Sequence, residues 1–271
     1  MAVIPQVYMD AVVSIGVRSA ADIKWIGTGF FVIREVREGH GIPFLVSNRH
    51  VFEIEKSIVI RMKKKDSDDL KECDAPLFNG GAPIYVCHPD PDIDIAVLPL
   101  AANYITENNL QFPCMDIDKN ALTISEFRAA GLDEGSLVHM LGFPMGLVNA
   151  ESQMPICRLG CVARMSDAQI REDHNIIVDI QNFPGNSGSP IVTRPELVRL
   201  NGTTAMNRCM LLGIVHSYIP YSESLINQQT GKIVEIRSEN SGLAKVHPAE
   251  YIREVIDQIL RPQRLTEPQQ H

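Results

Sequence analysis

Short runs of β-prone residues recur along the whole chain, separated by clusters of glycine, proline, asparagine and aspartate. Such runs, without long helical periodicity between them, favour an antiparallel barrel or sandwich over a parallel α/β sheet. No repeat of about 20 to 50 residues is visible, which argues against solenoids and propellers. The runs that we predict as strands are 12–17, 29–33, 44–47, 57–62, 93–98, 137–141, 156–165, 176–180, 190–193, 210–216 and 243–246.

One stretch near the C-terminus has the periodicity of an amphipathic helix. Its apolar residues, from Tyr251 to Leu260, form a single stripe with charged residues outside it. Pro248 suits the first helical turn, and Pro262 ends the helix. We therefore predict an all-β body closed by a C-terminal α-helix over 248–261, with a flexible tail at 262–271.

The size and charge of the chain limit what it can be and what it can bind. Its 271 residues allow one large or two modest domains. The net charge of −8 argues against a surface that neutralises phosphates, so we expect no nucleic-acid partner. The longest uncharged apolar stretch near the middle, 95–102, is far shorter than the roughly 20 residues that cross a bilayer, so we expect no membrane partner.

The cysteines and the N-terminal residues predict a cytoplasmic location. The six cysteines lie in a chain that is long and apolar enough to fold without disulfides, so we expect reduced thiols. No basic residue precedes Arg18, and Asp10 interrupts the apolar start, which argues against a secretory signal. Cys157 and Cys161 lack the spacing of a zinc site, so we expect no metal.

The segment 183–190, Phe-Pro-Gly-Asn-Ser-Gly-Ser-Pro, is the most specific candidate for chemistry. Two glycines flank Ser187 in a turn. A nucleophilic serine needs an exposed Oγ and free neighbouring N–H groups, and glycine permits the backbone angles that this requires. A polar β-turn would explain the same residues, so the segment needs partners elsewhere in the chain.

A histidine and an aspartate earlier in the chain supply such partners. His50 ends a β-prone run at a polar break, and Asp94 begins a run too apolar to be exposed. A partly buried carboxylate must find a donor, and an imidazole N–H is a natural one. A purely structural histidine stays open. The order His50, Asp94, Ser187 argues against an α/β-hydrolase, in which the serine precedes the acid and the histidine.

These motifs, with Gly27-Thr28-Gly29-Phe30, Gly142-Phe143-Pro144 and Gly213-Ile214-Val215, resemble those of the chymotrypsin-like serine peptidases. The prokaryotic trypsin-like and HtrA-type branch is the most similar, and the match runs in order from about Val12 to the terminal helix. The resemblance implies an all-β fold of two six-stranded antiparallel β-barrels. Their expected bounds are 1–115 for the barrel carrying His50 and Asp94, 116–135 for the linker, and 136–247 for the barrel carrying Ser187.

The resemblance also implies an activity and a set of site residues. The chain would be a serine endopeptidase that cleaves polypeptides through an acyl-enzyme intermediate and needs no cofactor. Its triad would be His50, Asp94 and Ser187. The expected oxyanion hole is Gly185, Asn186 and Ser187, and the expected substrate pocket is Gln181, Phe183, His216, Ser217 and Gly242. His216 and Ser217 could select glutamate or glutamine, although a histidine that merely packs beside the strand is the competing interpretation.

Several features depart from the family pattern. The sequence has no Ile-Val-Gly-Gly start and carries the neutral Asn186 before Ser187, so we expect no zymogen switch by an N-terminal ion pair. Ser189 replaces the usual glycine. We also expect no PDZ domain after the helix. A non-catalytic or latent binding module on the same scaffold stays an alternative. In that case a regulatory protein partner could act at the long excursion 221–242 beside the pocket.

Overall fold

The computed structural model of this protein describes residues 4–20, 22–67, 69–196, 204 and 206–261. The chain is mostly β, which confirms the predicted fold class. The tail expected at 262–271 lies outside the described residues. The expected linker at 116–135 contains a short 3-10 helix, Ile124–Glu126, which a capping box with Thr123 begins. The boundaries between the two barrels stay a prediction.

The first unit is a sheet built from residues before the linker. Its strands are β1 (Val12–Arg18), β2 (Ile23–Arg37), β3 (His40–Ser47), β4 (Ser57–Lys63), β5 (Leu70–Pro76), β8 (Val86–Cys87), β9 (Ala96–Pro99) and β10 (Met115–Asp116), while β6 (Phe78–Asn79) and β7 (Ala82–Pro83) form a separate hairpin. The order is β5-β4-β1-β2-β3-β9-β8, with β10 parallel to β2. The sheet therefore has eight strands rather than the six that the resemblance implies, because the short strands β8 and β10 add to its edge and to β2.

The second unit is a closed six-stranded barrel. Its strands are β11 (Leu137–Gly142), β12 (Ile156–Arg164), β13 (Ile176–Asp179), β14 (Pro190–Thr193), β15 (Leu211–Ile226) and β16 (Ile233–Pro248). They pair in the closed order β11-β12-β13-β16-β15-β14. Because the barrel has no free edge, the strand N–H and C=O groups are satisfied within it, which gives the loops at its rim a rigid support.

Helices are few and short except at the C-terminus. They are α1 (Gln6–Asp10), α2 (Arg49–Phe52), α3 (Ala102–Glu107), α4 (Asp167–Asp173) and α5 (Ala249–Leu260), with a second 3-10 turn at Pro144–Gly146. The predicted apolar stripe of α5 is confirmed, since Tyr251, Ile252, Val255 and Ile256 are buried. Pro248 is the N-cap residue rather than part of the first turn. In the part of the chain that the structure describes, no helix is long and apolar enough to cross a membrane.

One hydrophobic core connects the two units. Phe30 and Phe44 of the first sheet belong to the same buried cluster as Leu141 and Ile191 of the barrel, and α5 packs into that cluster. Burial of apolar surface contributes about 25 cal/mol per Å². The two units are therefore held together by the same force that folds each of them.

Two segments are more regular than the sequence suggested. The strand predicted at 57–62 lies in β4, which continues into a charged stretch and forms a hairpin with β5, in which Lys63 pairs with Leu70. The excursion 221–242 is a protruding two-stranded ribbon, in which Ser222 pairs with Ser238. β5 and the ribbon were missed because each buries few side chains: β5 buries only Cys73, and the ribbon is exposed to solvent. Both therefore lack the alternating pattern that marks a half-buried strand.

Candidate active site

The first sheet brings His50 and Asp94 together. His50 lies in α2, directly after β3, and Asp94 lies directly before β9. Because β3 and β9 pair with Ser47 opposite Ala96, the residues that follow and precede these strands meet at one end of the sheet. The His50 ring donates from Nδ1 to Asp94 Oδ2 at 2.5 Å, and the His50 backbone N–H donates to Asp94 Oδ1 at 3.1 Å. Both oxygens of the carboxylate are therefore directed at one residue.

The electrostatics of the pair match that geometry. Burial alone would raise the pKa of Asp94, but the hydrogen bonds from His50 outweigh it and hold the pKa below its usual value. Asp94 therefore stays ionised at neutral pH. An ionised carboxylate at Nδ1 fixes the histidine tautomer that leaves Nε2 free to accept a proton. The His50 side chain is 46% exposed, so the ring is open to solvent.

The segment that carries Ser187 is hydrogen-bonded directly to β2 of the first unit. The Thr28 N–H donates to the Ser187 carbonyl at 2.9 Å, and the Thr28 hydroxyl donates to the Gly185 carbonyl at 2.7 Å. A Cβ atom placed on Gly27 would contact both the Ser187 carbonyl, at 3.4 Å, and the side chain of Val51, at 3.0 Å. The backbone of Ser187 thus lies beside α2. Among the hydrogen bonds of the described residues, none joins the Ser187 hydroxyl to His50.

The turn before Ser187 leaves two backbone donors available. Gly185 has φ +94°, an angle that side chains other than glycine adopt only with strain. In the described part of the chain, the N–H groups of Gly185 and Ser187 donate to no acceptor. The Asn186 N–H instead donates to the Phe183 carbonyl at 3.0 Å. Of the three residues expected in the oxyanion hole, Gly185 and Ser187 therefore offer free donors, and Asn186 shapes the turn.

The unusual Ser189 fits because a glycine lies opposite. Ser189 is fully buried, and a side chain on Gly142 would collide with its hydroxyl. The Gly142-Phe143-Pro144 motif and the serine that replaces the usual glycine are thus packed against one another. Neither the Ser189 hydroxyl nor the Asn186 side-chain amide has a hydrogen-bond partner in the part of the chain that the structure describes.

The residues expected in the substrate pocket fall into two groups. Gln181 and Gly242 are neighbours, since a Cβ on Gly242 would lie 3.4 Å from Gln181 Nε2. Phe183 lies close by in sequence, and its ring stacks under the Arg158 guanidinium at 5.3 Å. His216 has other contacts: it donates from Nε2 to Asn175 Oδ1 at 2.6 Å, and its ring stacks on another histidine. Ser217 is half-buried and pairs with Lys245 in β16.

Sequence reasoning missed the residues that hold Asp94 in place. Arg49 donates to the carbonyls of His88, Asp90, Pro91 and Ile93 at 2.7 to 3.4 Å and so fixes the loop that leads to Asp94. From the second barrel, His247 Nε2 accepts the backbone N–H of Asp94 at 3.0 Å. Arg49 could have been noticed beside His50, but nothing in the sequence around His247 indicates a contact 153 residues away.

Comparisons with known proteins place the chain in a family. Residues 27–198 match the family model described as a trypsin-like peptidase domain, so the chain belongs to that family. No curated protein matches the chain in sequence. Among solved structures, one described as HBP at atomic resolution is similar, with 14% identity, a TM-score of 0.51, and coverage of 94% of this chain and 93% of that one. The apo MamO protease domain from Magnetospirillum magneticum matches with 12% identity, a TM-score of 0.44, and coverage of 92% and 96%.

Proposed function

We propose that this protein is a serine endopeptidase whose triad is His50, Asp94 and Ser187. The observation that carries the proposal is the His50–Asp94 pair, in which both carboxylate oxygens accept hydrogen bonds from His50. The Ser187 segment lies nearby, because the Thr28 N–H donates to the Ser187 carbonyl. Membership of the trypsin-like peptidase family supports the same reading.

In the proposed reaction, Ser187 Oγ attacks the carbonyl carbon of a peptide bond, and His50 Nε2 takes the hydroxyl proton. The tetrahedral oxyanion is stabilised by the free N–H groups of Gly185 and Ser187, each contributing roughly 3 kcal/mol. As the intermediate collapses, the C–N bond breaks and His50 returns the proton to the leaving amine. Water then attacks the acyl carbon and gives a proton to His50 Nε2. The bond between the acyl carbon and Ser187 Oγ breaks, His50 returns the proton to Ser187 Oγ, and the acid product leaves. Asp94 stays ionised and stabilises the imidazolium throughout.

The proposal is tested by removing the nucleophile. We expect Ser187→Ala to lower kcat on an unstructured protein substrate by roughly a million-fold without loss of fold, since triad deletions act through the whole unit. Ser224→Ala, on the exposed ribbon, is the matched control and should retain full activity. A serine-directed phosphonate should add its mass to Ser187. Equal cleavage by the Ser187→Ala variant in clean preparations would reject the assignment.

Substrate choice, location and partners rest on sequence and resemblance. We propose polypeptide substrates, with the residue before the cut selected by the pocket around Gln181, Phe183, Ser217 and Gly242. The bond of His216 to Asn175 and its stacking on His247 favour the competing interpretation of His216 as a histidine that packs beside the strand. Digestion of a peptide library would define that preference. A cytoplasmic location, and the lack of nucleic-acid, membrane, metal and cofactor partners, remain predictions.

A latent or non-catalytic binding module is the second candidate, and the protruding ribbon favours it. Seven large apolar side chains are exposed on the ribbon and its base: Tyr218, Tyr221, Leu225, Ile226, Ile233, Val234 and Ile236. Monomeric proteins rarely expose contiguous apolar surface without use for it. If phosphonate labelling of Ser187 occurs only after a protein partner is added, the latent form is supported. If it never occurs, the non-catalytic binder is supported.

A further inference from the structure

A cluster of buried histidines lies behind the His50–Asp94 pair, where the first sheet, the barrel and α5 meet. His247, at the end of β16, is fully buried. Its Nδ1 donates to the carbonyl of His174 at 2.7 Å, so its Nε2 carries no proton and can accept the N–H of Asp94 at 3.0 Å. One imidazole thereby bridges the barrel to the backbone of the proposed triad carboxylate.

His216 fixes the plane of that imidazole. The two rings are parallel within 7°, with centroids 3.9 Å apart. His216 is held in turn by Asn175, the residue after His174, through its 2.6 Å bond. Stacking restricts rotation of His247 about its axis, and a hydrogen bond at each ring nitrogen fixes its direction. The acceptor presented to Asp94 is therefore rigid.

The groups that face His247 come from every element packed around it. They are Asp94 and His88 from the first sheet, His174 and His216 from the barrel, and Tyr251 from α5, whose ring centroid is 6.4 Å away. Burial lowers the pKa of His247 to about 4, so the ring is neutral at the pH at which a peptidase of this kind works. A neutral ring is required, because a protonated Nε2 could not accept the Asp94 N–H.

The loop before Asp94 is held at several points. Besides the bonds from Arg49, His88 Nε2 donates to Glu254 of α5 at 2.9 Å, and the Asp90 N–H donates to His88 Nδ1 at 3.1 Å. These contacts fix residues 88–93 but do not reach the backbone N–H of Asp94. His247 is the residue that bonds to Asp94 itself from across the interface.

We propose that His247 is a positioning residue of the active site, which holds Asp94 from the second barrel and so sets the geometry of the His50–Asp94 pair. The proposal rests on the peptidase function proposed above. Because His247 is fully buried, it touches no substrate and acts on the proposed triad through its bond to the Asp94 N–H. The Asn48 side-chain amide still donates to the Asp94 carbonyl at 2.8 Å, but loss of the His247 acceptor leaves the Asp94 N–H without its partner and lets that peptide group shift. A displacement of about 1 Å in a catalytic group can lower the rate roughly 100-fold.

The test compares two neutral replacements. His247→Gln keeps an oxygen acceptor near the position of Nε2, whereas His247→Leu keeps bulk and removes the acceptor. We expect His247→Leu to lower kcat roughly 10- to 100-fold with KM unchanged and to move the acid limb of the pH profile to lower pH. His247→Gln should restore kcat to within about three-fold. His139→Leu, at another buried histidine of the barrel, is the matched control and should behave as wild type.

A spectroscopic readout separates this proposal from the proposed function. The His50 Nδ1 proton, bonded to an ionised carboxylate, should give a low-field proton NMR signal in the wild type and in His247→Gln, and that signal should be lost in His247→Leu. If the wild type cleaves nothing but the signal behaves in this way, the positioning role stands and the peptidase assignment falls. If the Leu and Gln variants match each other in kcat, pH profile and signal, the positioning role is overturned.

Loss of folding in His247→Leu would not prevent the test. In that case His247→Met, which fills the site with a flexible chain and offers only a weak sulfur acceptor, replaces it under the same criteria. Urea unfolding of each variant at neutral pH shows that the compared proteins are folded.

Discussion

The two stacked histidines behind Asp94 should make the protein unusually sensitive to mild acid. Burial lowers the pKa of His216 to about 3, with His247 adding to the effect, and burial lowers the pKa of His247 to about 4. In the unfolded chain both rings titrate near 6.5. Below that pH the unfolded state binds more protons than the folded state, so stability is full above about pH 6.5 and falls as the pH drops toward the folded values.

The size of the effect follows from the shifts. A pH of about 5 is roughly 1.5 units below the pKa of each ring in the unfolded chain, whereas both rings are still mostly neutral in the folded protein. This difference lowers the free energy of unfolding by about 2 kcal/mol per ring and about 4 kcal/mol for the pair. The loss for the pair is a large fraction of the free energy of unfolding of a typical domain, which is roughly 5–15 kcal/mol. The loss is greatest in the pH range where His216 and His247 would charge in the unfolded chain but not in the folded one.

Urea unfolding at about pH 7.5 and about pH 5 measures this loss. The comparison is between wild type and the double variant His216→Gln/His247→Gln, which cannot titrate at either position. We expect wild type to lose about 4 kcal/mol more than the double variant between the two conditions. His139, whose pKa is also lowered by burial, is present in both proteins and cancels. Equal losses in the two proteins would refute the reasoning.

Three further perturbations have defined outcomes. Arg49→Lys cannot reach all four loop carbonyls, so it should lower the free energy of unfolding in urea by about 2 kcal/mol and reduce kcat. Unchanged values would show that the loop 88–93 keeps its conformation without the Arg49 bonds. Gly185→Ala forces a residue with a side chain to φ +94° and puts its Cβ 2.5 Å from the Phe143 carbonyl, so the free energy of unfolding should fall by at least about 2 kcal/mol and most activity should be lost. Gly80→Ala, with open space around it, is the control and should lower the free energy of unfolding less. Replacing 220–240 by a short turn should reduce binding of a hydrophobic dye and leave the thermal midpoint within a few degrees; a large fall in the midpoint would show that the ribbon supports the fold.

The strands and helix that line the core were the most predictable parts of the fold. The stripe of α5 was readable because burial on one face imposes a period of 3.6 residues, and Tyr251 and Ile252 lie where that period places them. The ribbon after Tyr218 could not be predicted as a strand from the sequence, because both of its faces are exposed to solvent and no burial pattern marks its register.

The candidate site divides in the same way. Sequence reasoning could propose His50, Asp94 and Ser187 because each lies in a short motif whose residues suit a chemical role. In the structure His50 is hydrogen-bonded to Asp94, and the Ser187 segment lies beside α2. The role of each in catalysis stays a proposal. His216 was expected to line the pocket by its place in β15, but its stacking partner and its bond to Asn175 lie far away in sequence.

The local amino-acid sequence determined the alternation of strands and turns and the terminal helix. It also determined which groups can take up or release a proton. Tertiary structure alone decided how those groups are held: which carbonyls Arg49 reaches, which ring His247 stacks on, and which N–H its free nitrogen accepts. The physical reason is that a hydrogen-bonding group in a sequence specifies only what it can donate or accept. Its partner is selected by folding, since burial leaves few acceptors within reach and penalises any donor that finds none.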